Sequence, residues 1–187
     1  MHITNKVGWR RTAWVASLLL GIFTLAGCSV SPPKGVTVVQ PFDLTRYLGT
    51  WYEIARLDHS FERNLDNVSA EYSMRPDGNV QVVNSGYKTD SGERKEAIGI
   101  AKFIGSPEVA SLKVSFFGPF YGGYHVVELD EDYRWALVIG PSRKYLWILA
   151  RDRQLPAAVR EQLVRRASEL GVDTSELIWV EHDRTDT

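Results

Sequence analysis

The residues that could carry covalent chemistry are few and scattered. The chain has one cysteine, Cys28, which excludes an internal disulfide and a Cys-rich metal site. Its histidines are His2, His59, His125 and His182, and no pair has the H-x-x-x-H spacing that puts two imidazoles on one helix face. No G-x-S-x-G elbow is present. Gly118-Pro-Phe-Tyr-Gly-Gly123 is glycine-rich, but its proline and bulky rings suit a loop better than a phosphate cradle. Carboxylates are plentiful, yet none stands out as an acid/base pair. These patterns point away from an enzyme and call for no cofactor or metal. What is conspicuous is aromatic: 11% of residues, including six Trp. Rings in that number suit non-covalent work, either plugging a barrel or lining an apolar pocket.

The first segment reads as an address. Lys6, Arg10 and Arg11, with no acid, precede the apolar run Ala13–Ala26, which is too short to span a bilayer comfortably. Leu25-Ala26-Gly27-Cys28 resembles the bacterial lipobox. The resemblance implies cleavage after Gly27 and acylation of Cys28 by chains of the palmitate kind. Residues 1–27 are then a lipoprotein signal peptide. Each buried methylene stabilises by about 0.8 kcal/mol, so two or three acyl chains anchor firmly. Ser29 follows the Cys where an Asp would signal retention, which favours the outer membrane, on a face the sequence leaves open. Residues 28–41 contain Pro32-Pro33 and end at Pro41, and are expected to form an extended tether that holds residues 42–187 up to ~40 Å from the lipid.

The elements behind these residues are mainly strands. Eight candidates follow one another: 50–57, 68–75, 79–88, 95–104, 111–117, 124–129, 135–140 and 145–151. Turn signals such as Pro76-Asp77-Gly78-Asn79 separate them. Alternation is clear in places: Val68, Ala70, Tyr72 and Met74 oppose Ser69, Glu71, Ser73 and Arg75. The pattern predicts an all-β, up-and-down antiparallel barrel or a sandwich. One helix follows, with Pro156 at its start, Gly171 at its end and a stripe of Val159, Leu163, Ala167 and Leu170 to pack outside the sheet. Leu177–Val180 reads as a short ninth strand. A formal charge of −1 with no basic stretch excludes nucleic acid as a partner.

Three motifs sharpen this outline. Gly49-Thr50-Trp51 resembles the G-x-W signature of lipocalins; Asp130-Glu131-Asp132-Tyr133 resembles their second motif; Ile148-Leu149-Ala150-Arg151 resembles their third. With the lipobox, the chain is similar to the bacterial, outer-membrane lipoprotein subgroup, relatives of apolipoprotein D. The resemblance implies an eight-stranded barrel with the helix packed outside. It also implies that Trp51 plugs the closed end, that Arg151 lies across its ring, and that Gly49 turns the chain into the first strand.

If Arg151 faces inward, alternation turns Leu149 and Trp147 inward too. Trp147, nearer the open end, is the first pocket candidate; Tyr72, Met74, Val82, Asn84, Phe116, Tyr124, Val126, Leu137 and Ile139 are the others. Asn84 and the tyrosine hydroxyls would either hold a carboxylate or ester, or satisfy one another. The same phase turns Glu128 inward, with Arg151 as the expected partner; neutral or unpaired, it would instead be a ligand contact. The loop 59–67 is expected to edge the mouth. The functional expectation is a membrane-anchored protein that stores or transports fatty acids, lysophospholipids or similar lipids. The alternative is a lipid-anchored interaction module whose barrel is filled by its own side chains. Self-association as a homodimer is left open.

Overall fold

The alternating segments pair in chain order and then close on themselves. A computed structural model describes residues 30–184; Cys28 and the expected signal peptide, residues 1–27, lie outside them. The strands are β1 (Gly49–Arg56), β2 (Leu65–Met74), β3 (Val80–Lys88), β4 (Arg94–Phe103), β5 (Ser111–Phe117), β6 (Phe120–Leu129), β7 (Trp135–Ile139) and β8 (Leu146–Ala150). Each pairs antiparallel with the next. β1 also pairs with β8, with Tyr52 opposite Ala150, which completes an eight-stranded barrel. A ninth strand, β9 (Ile178–Trp179), adds outside on β1.

Inside the barrel, Trp51, Tyr72, Val82, Leu112, Val126, Val138 and Leu149 form one apolar cluster. A second lies on the outer wall. There Leu163 and Ala167 of helix α2 (Ala157–Glu169) pack on Leu137, Ile139, Leu146 and Ile148. β7 is therefore apolar on both faces, which alternation alone cannot resolve. This is why Leu137 and Ile139, expected inside, are found outside under the helix, while Ala136 and Val138 face in.

A β-bulge in β6 has a second effect. Val126 pairs with Val138, but the next partners are Glu128 and Leu137, so one extra residue is accommodated and the phase flips. Glu128 consequently points out. It meets Arg166 of α2 at 3.2 Å, and Arg151 is not its partner. β6 also begins earlier than expected, at Phe120: the last four residues of the glycine-rich segment taken for a loop are strand, with Phe117 opposite Phe120 in the hairpin.

The segment expected to be a free spacer lies against the barrel from Val30 onward. Val39 donates to the Val126 carbonyl at 2.9 Å and accepts from the Ala110 amide at 3.0 Å. Arg143 donates to the Lys34 carbonyl at 2.8 Å. Val30 crosses β6 so closely that a Cβ on Gly123 would lie 2.9 Å from its carbonyl oxygen. Val36, Val38 and Val39 join the two apolar clusters, and their burial outweighs the extended preference of the prolines.

Candidate functional site: a one-ended cavity

The floor of the barrel is sealed. A short helix, α1 (Leu44–Tyr47), crosses it, and Trp51 sits fully buried above, donating from Nε1 to the Tyr47 carbonyl at 2.7 Å. The Arg151 guanidinium lies 4.0 Å from the Trp51 ring centroid. It donates to the carbonyls of Thr50, Arg46 and Leu48 at 2.7–2.8 Å, and to that of Tyr133 at 3.3 Å. One cation thus satisfies three carbonyls at the chain's entry into β1 and a fourth in the β6–β7 turn. Gly49 makes that entry at φ +91°, a region that suits glycine.

Above the plug is a cavity of about 860 Å³, open at the rim formed by the β1–β2, β3–β4, β5–β6 and β7–β8 connections. That is within the range of about 300–1,000 Å³ usual for small-molecule sites. Val68, Ala70, Val82, Val114, Phe116 and Leu149 line its walls. At its base the Tyr124 hydroxyl shares hydrogen bonds with those of Tyr47 (2.7 Å) and Tyr72 (3.0 Å). The hydroxyls satisfy one another, and burial pushes all three well above the usual tyrosine range. Asn84 also faces the cavity, and its Oδ1 is buried with no protein partner.

A polar cluster sits higher, under the β1–β2 loop. A bulge after Glu53 places both Glu53 and Arg56 on the inner side, and Arg56 Nη1 donates to Glu53 Oε1 at 2.7 Å. Arg56 Nη2 donates to the carbonyls of Glu62 and Leu65, fastening the loop. Glu62 reaches back into the barrel, where Trp147 Nε1 donates to its Oε2 at 3.1 Å. Two buried carboxyls therefore lie near one guanidinium, which bonds the Glu53 carboxyl alone. Burial raises both, and the second acid raises Glu53 further, so the pair retains a proton well above the ordinary carboxyl range. His59, 3.3 Å from Glu62, is depressed by burial to about 4 and is neutral at physiological pH. Its ring stacks on Phe61 and leans on Trp147, making an aromatic brow over the opening.

Of the residues expected in the pocket, Trp147, Tyr72, Val82, Asn84, Phe116 and Tyr124 line this cavity. Met74 keeps the inward phase but lies past the plug and is 50% exposed. Val126 is buried one inward position below Tyr124, in packing beneath the cavity. Leu137 and Ile139 are outside the barrel, as described. Reading by alternation missed Glu53, Arg56 and Glu62; the loop that carries Glu62 was expected only to edge the mouth. Among the described residues no cluster of His, Cys, Asp and Glu is placed to hold a metal. Among them, too, no helix is long and apolar enough to cross a membrane.

Comparison with known proteins agrees with this geometry. Residues 42–182 match the family model of the lipocalin-like domain. The chain is 52% identical over 167 residues to the outer membrane lipoprotein Blc of Escherichia coli K12, covering 89% of this chain and 94% of that protein. Too few residues fall outside that match to leave Cys28 out of it. Mouse apolipoprotein D is 30% identical over 177 residues, covering 85% of this chain and 88% of its own. Among solved structures, insecticyanin of the tobacco hornworm superposes with a TM-score of 0.63 at 23% identity, covering 78% of this chain and 84% of that one, and bears on the fold alone. Similarity to outer-membrane lipoproteins along nearly their whole length assigns this chain to the same membrane.

Proposed function

The chain belongs to the lipocalin family, and from that premise we propose that it is a lipid carrier, anchored to the outer membrane through acylated Cys28, that holds fatty acids, lysophospholipids or similar single-chain lipids in its barrel. The observation that carries this reading is the cavity of about 860 Å³ whose walls are aliphatic and aromatic. An acyl chain directed at the floor meets Val68, Val82, Val114, Phe116 and Leu149, and its burial supplies the driving force. The polar end remains near the rim, where Trp147, Glu62, Arg63, Lys88 and Lys95 stand. The site's polar groups position the guest and do not attack it: the tyrosines are engaged with one another, and the thiol is assigned to the anchor. The reading is therefore of a binding protein. A module with a filled barrel is the reading that the open cavity leaves without support.

Titration with parinaric acid, a fluorescent fatty acid, tests the proposal. Uptake near one equivalent is expected, with displacement by palmitate. Trp147→Ala is expected to weaken binding about tenfold, equivalent to ~1.4 kcal/mol. If the wild-type protein takes up neither lipid, and emerges from gentle extraction lipid-free by native mass spectrometry, the carrier reading is lost.

A further inference from the structure

Three phenyl rings project from one rim of the barrel. Phe117 is 80% exposed, Phe120 68% and Phe61 56%. Phe117 and Phe120 face each other across the β5–β6 hairpin, and Phe61 caps the β1–β2 loop; all three border the cavity opening. Exposed rings of this size, grouped at one site, mark a surface with a partner. The chain itself indicates which partner. Val30 lies against Gly123, three residues along β6 from Phe120, or about 10 Å at strand spacing. Cys28 is two residues before Val30 and so within about 7 Å of it. The segment between is too short to act as a spacer, because the chain already touches the barrel at Val30 and is fastened to it again at Lys34 and Val39.

From these positions we propose that the barrel docks mouth-down on the bilayer, with the Phe117–Phe120 hairpin and Phe61 inserted among the lipids. The proposal rests on the anchor reading given above and adds an orientation to it. An acyl group on Cys28 brings the lipid surface to the mouth half of β6, next to the Phe117–Phe120 hairpin and on the rim that Phe61 shares. The neighbouring β3–β4 hairpin carries the ion pairs Lys88–Glu93, Lys95–Glu93 and Arg94–Glu96, chemistry that suits the headgroup layer. At the opposite end, exposed Met74 is a single thioether beside the Arg75–Asp77 ion pair, far along the barrel from Val30. In this orientation the cavity opens into the bilayer surface, and a lipid passes between membrane and barrel without crossing water.

The test uses the full chain, processed in its host and reconstituted in phosphatidylcholine–phosphatidylglycerol vesicles. Acylation occupies Cys28, so Phe117→Cys and, at the far end, Asp77→Cys each give one labelling site for an environment-sensitive fluorophore. Doxyl-labelled lipids are expected to quench the probe at 117 at least twofold and to leave that at 77 unchanged. Flotation with vesicles while the 117 probe stays unquenched overturns the docking but spares the anchor. Failure of the full chain to float overturns the anchor and the docking with it. A 117 probe that is blue-shifted, unquenched by lipid and sensitive to protein concentration assigns the rings to a second copy, and the docking again falls.

Discussion

Glu53, Arg56 and Glu62 show how much one residue position can hide. In a regular strand, positions 53 and 56 face opposite sides, so no reading by alternation brings them together. The bulge after Glu53 does, and with Glu62 from the loop beside them the two buried carboxyls keep a proton. A group whose folded-state pKa is raised favours the fold below its unfolded value and loses that contribution as pH climbs through the folded one. His59 and His125, both depressed to about 4, act in the opposite sense between that value and 6.5. Glu53→Gln removes the Glu53 share of the first effect and leaves the second, while its amide still donates to Glu62. The stability of wild type relative to Glu53→Gln is expected to fall as pH rises from 4.5, the ordinary value for Glu. Urea denaturation of both proteins across that range measures it, and parallel curves would refute the shared proton. Trp51 and Arg151, by contrast, were legible at once. Their motif carries its own geometry, and the cation over the indole is where the resemblance put it.

At the level of elements, the strands and the helix were readable because their periods differ, and the errors cluster where one wall faces apolar groups on both sides. β7 reads Ala136-Leu137-Val138-Ile139 with no polar residue to set the phase. Only the helix decides, and it claims Leu137 and Ile139. The bulge in β6 then reverses Glu128, which no pattern in the sequence announced. α2 lacks a side-chain N-cap, since Pro156 occupies that position, so its attachment depends on the buried stripe. Leu163 is fully buried in that stripe. Leu163→Ala is expected to cost about 2–5 kcal/mol, from lost transfer energy and the cavity left behind. Thermal or urea unfolding reads this directly; a loss under about 1 kcal/mol would mean that the helix contributes little to holding β7 and β8.

At the scale of the molecule, closure explains why the sheet has no free edge inside the barrel: β1 is paired on both sides, with β2 and with β8. The strand count and the up-and-down order were legible because the turns are short and punctuated by Gly, Pro and Asp. The open cavity was not. Whether a barrel of this size is hollow depends on how its inward side chains fill the lumen, and small residues such as Ala70, Ala97 and Gly122 keep part of the wall low. Nor was the packed course of residues 30–41 legible, since a proline-rich stretch looks the same in sequence whether it hangs free or is stitched down.

The plug of Trp51, Tyr47 and Arg151 has one more consequence. A vessel stoppered at its base has no through-traffic: an arriving molecule cannot push the resident out ahead of it, but must queue until the doorway clears. Exchange should therefore run at the pace of departure. In stopped-flow displacement of bound parinaric acid, the observed rate should level off as palmitate rises. A rate that kept climbing with the incoming lipid would reveal a back door that the stopper does not close.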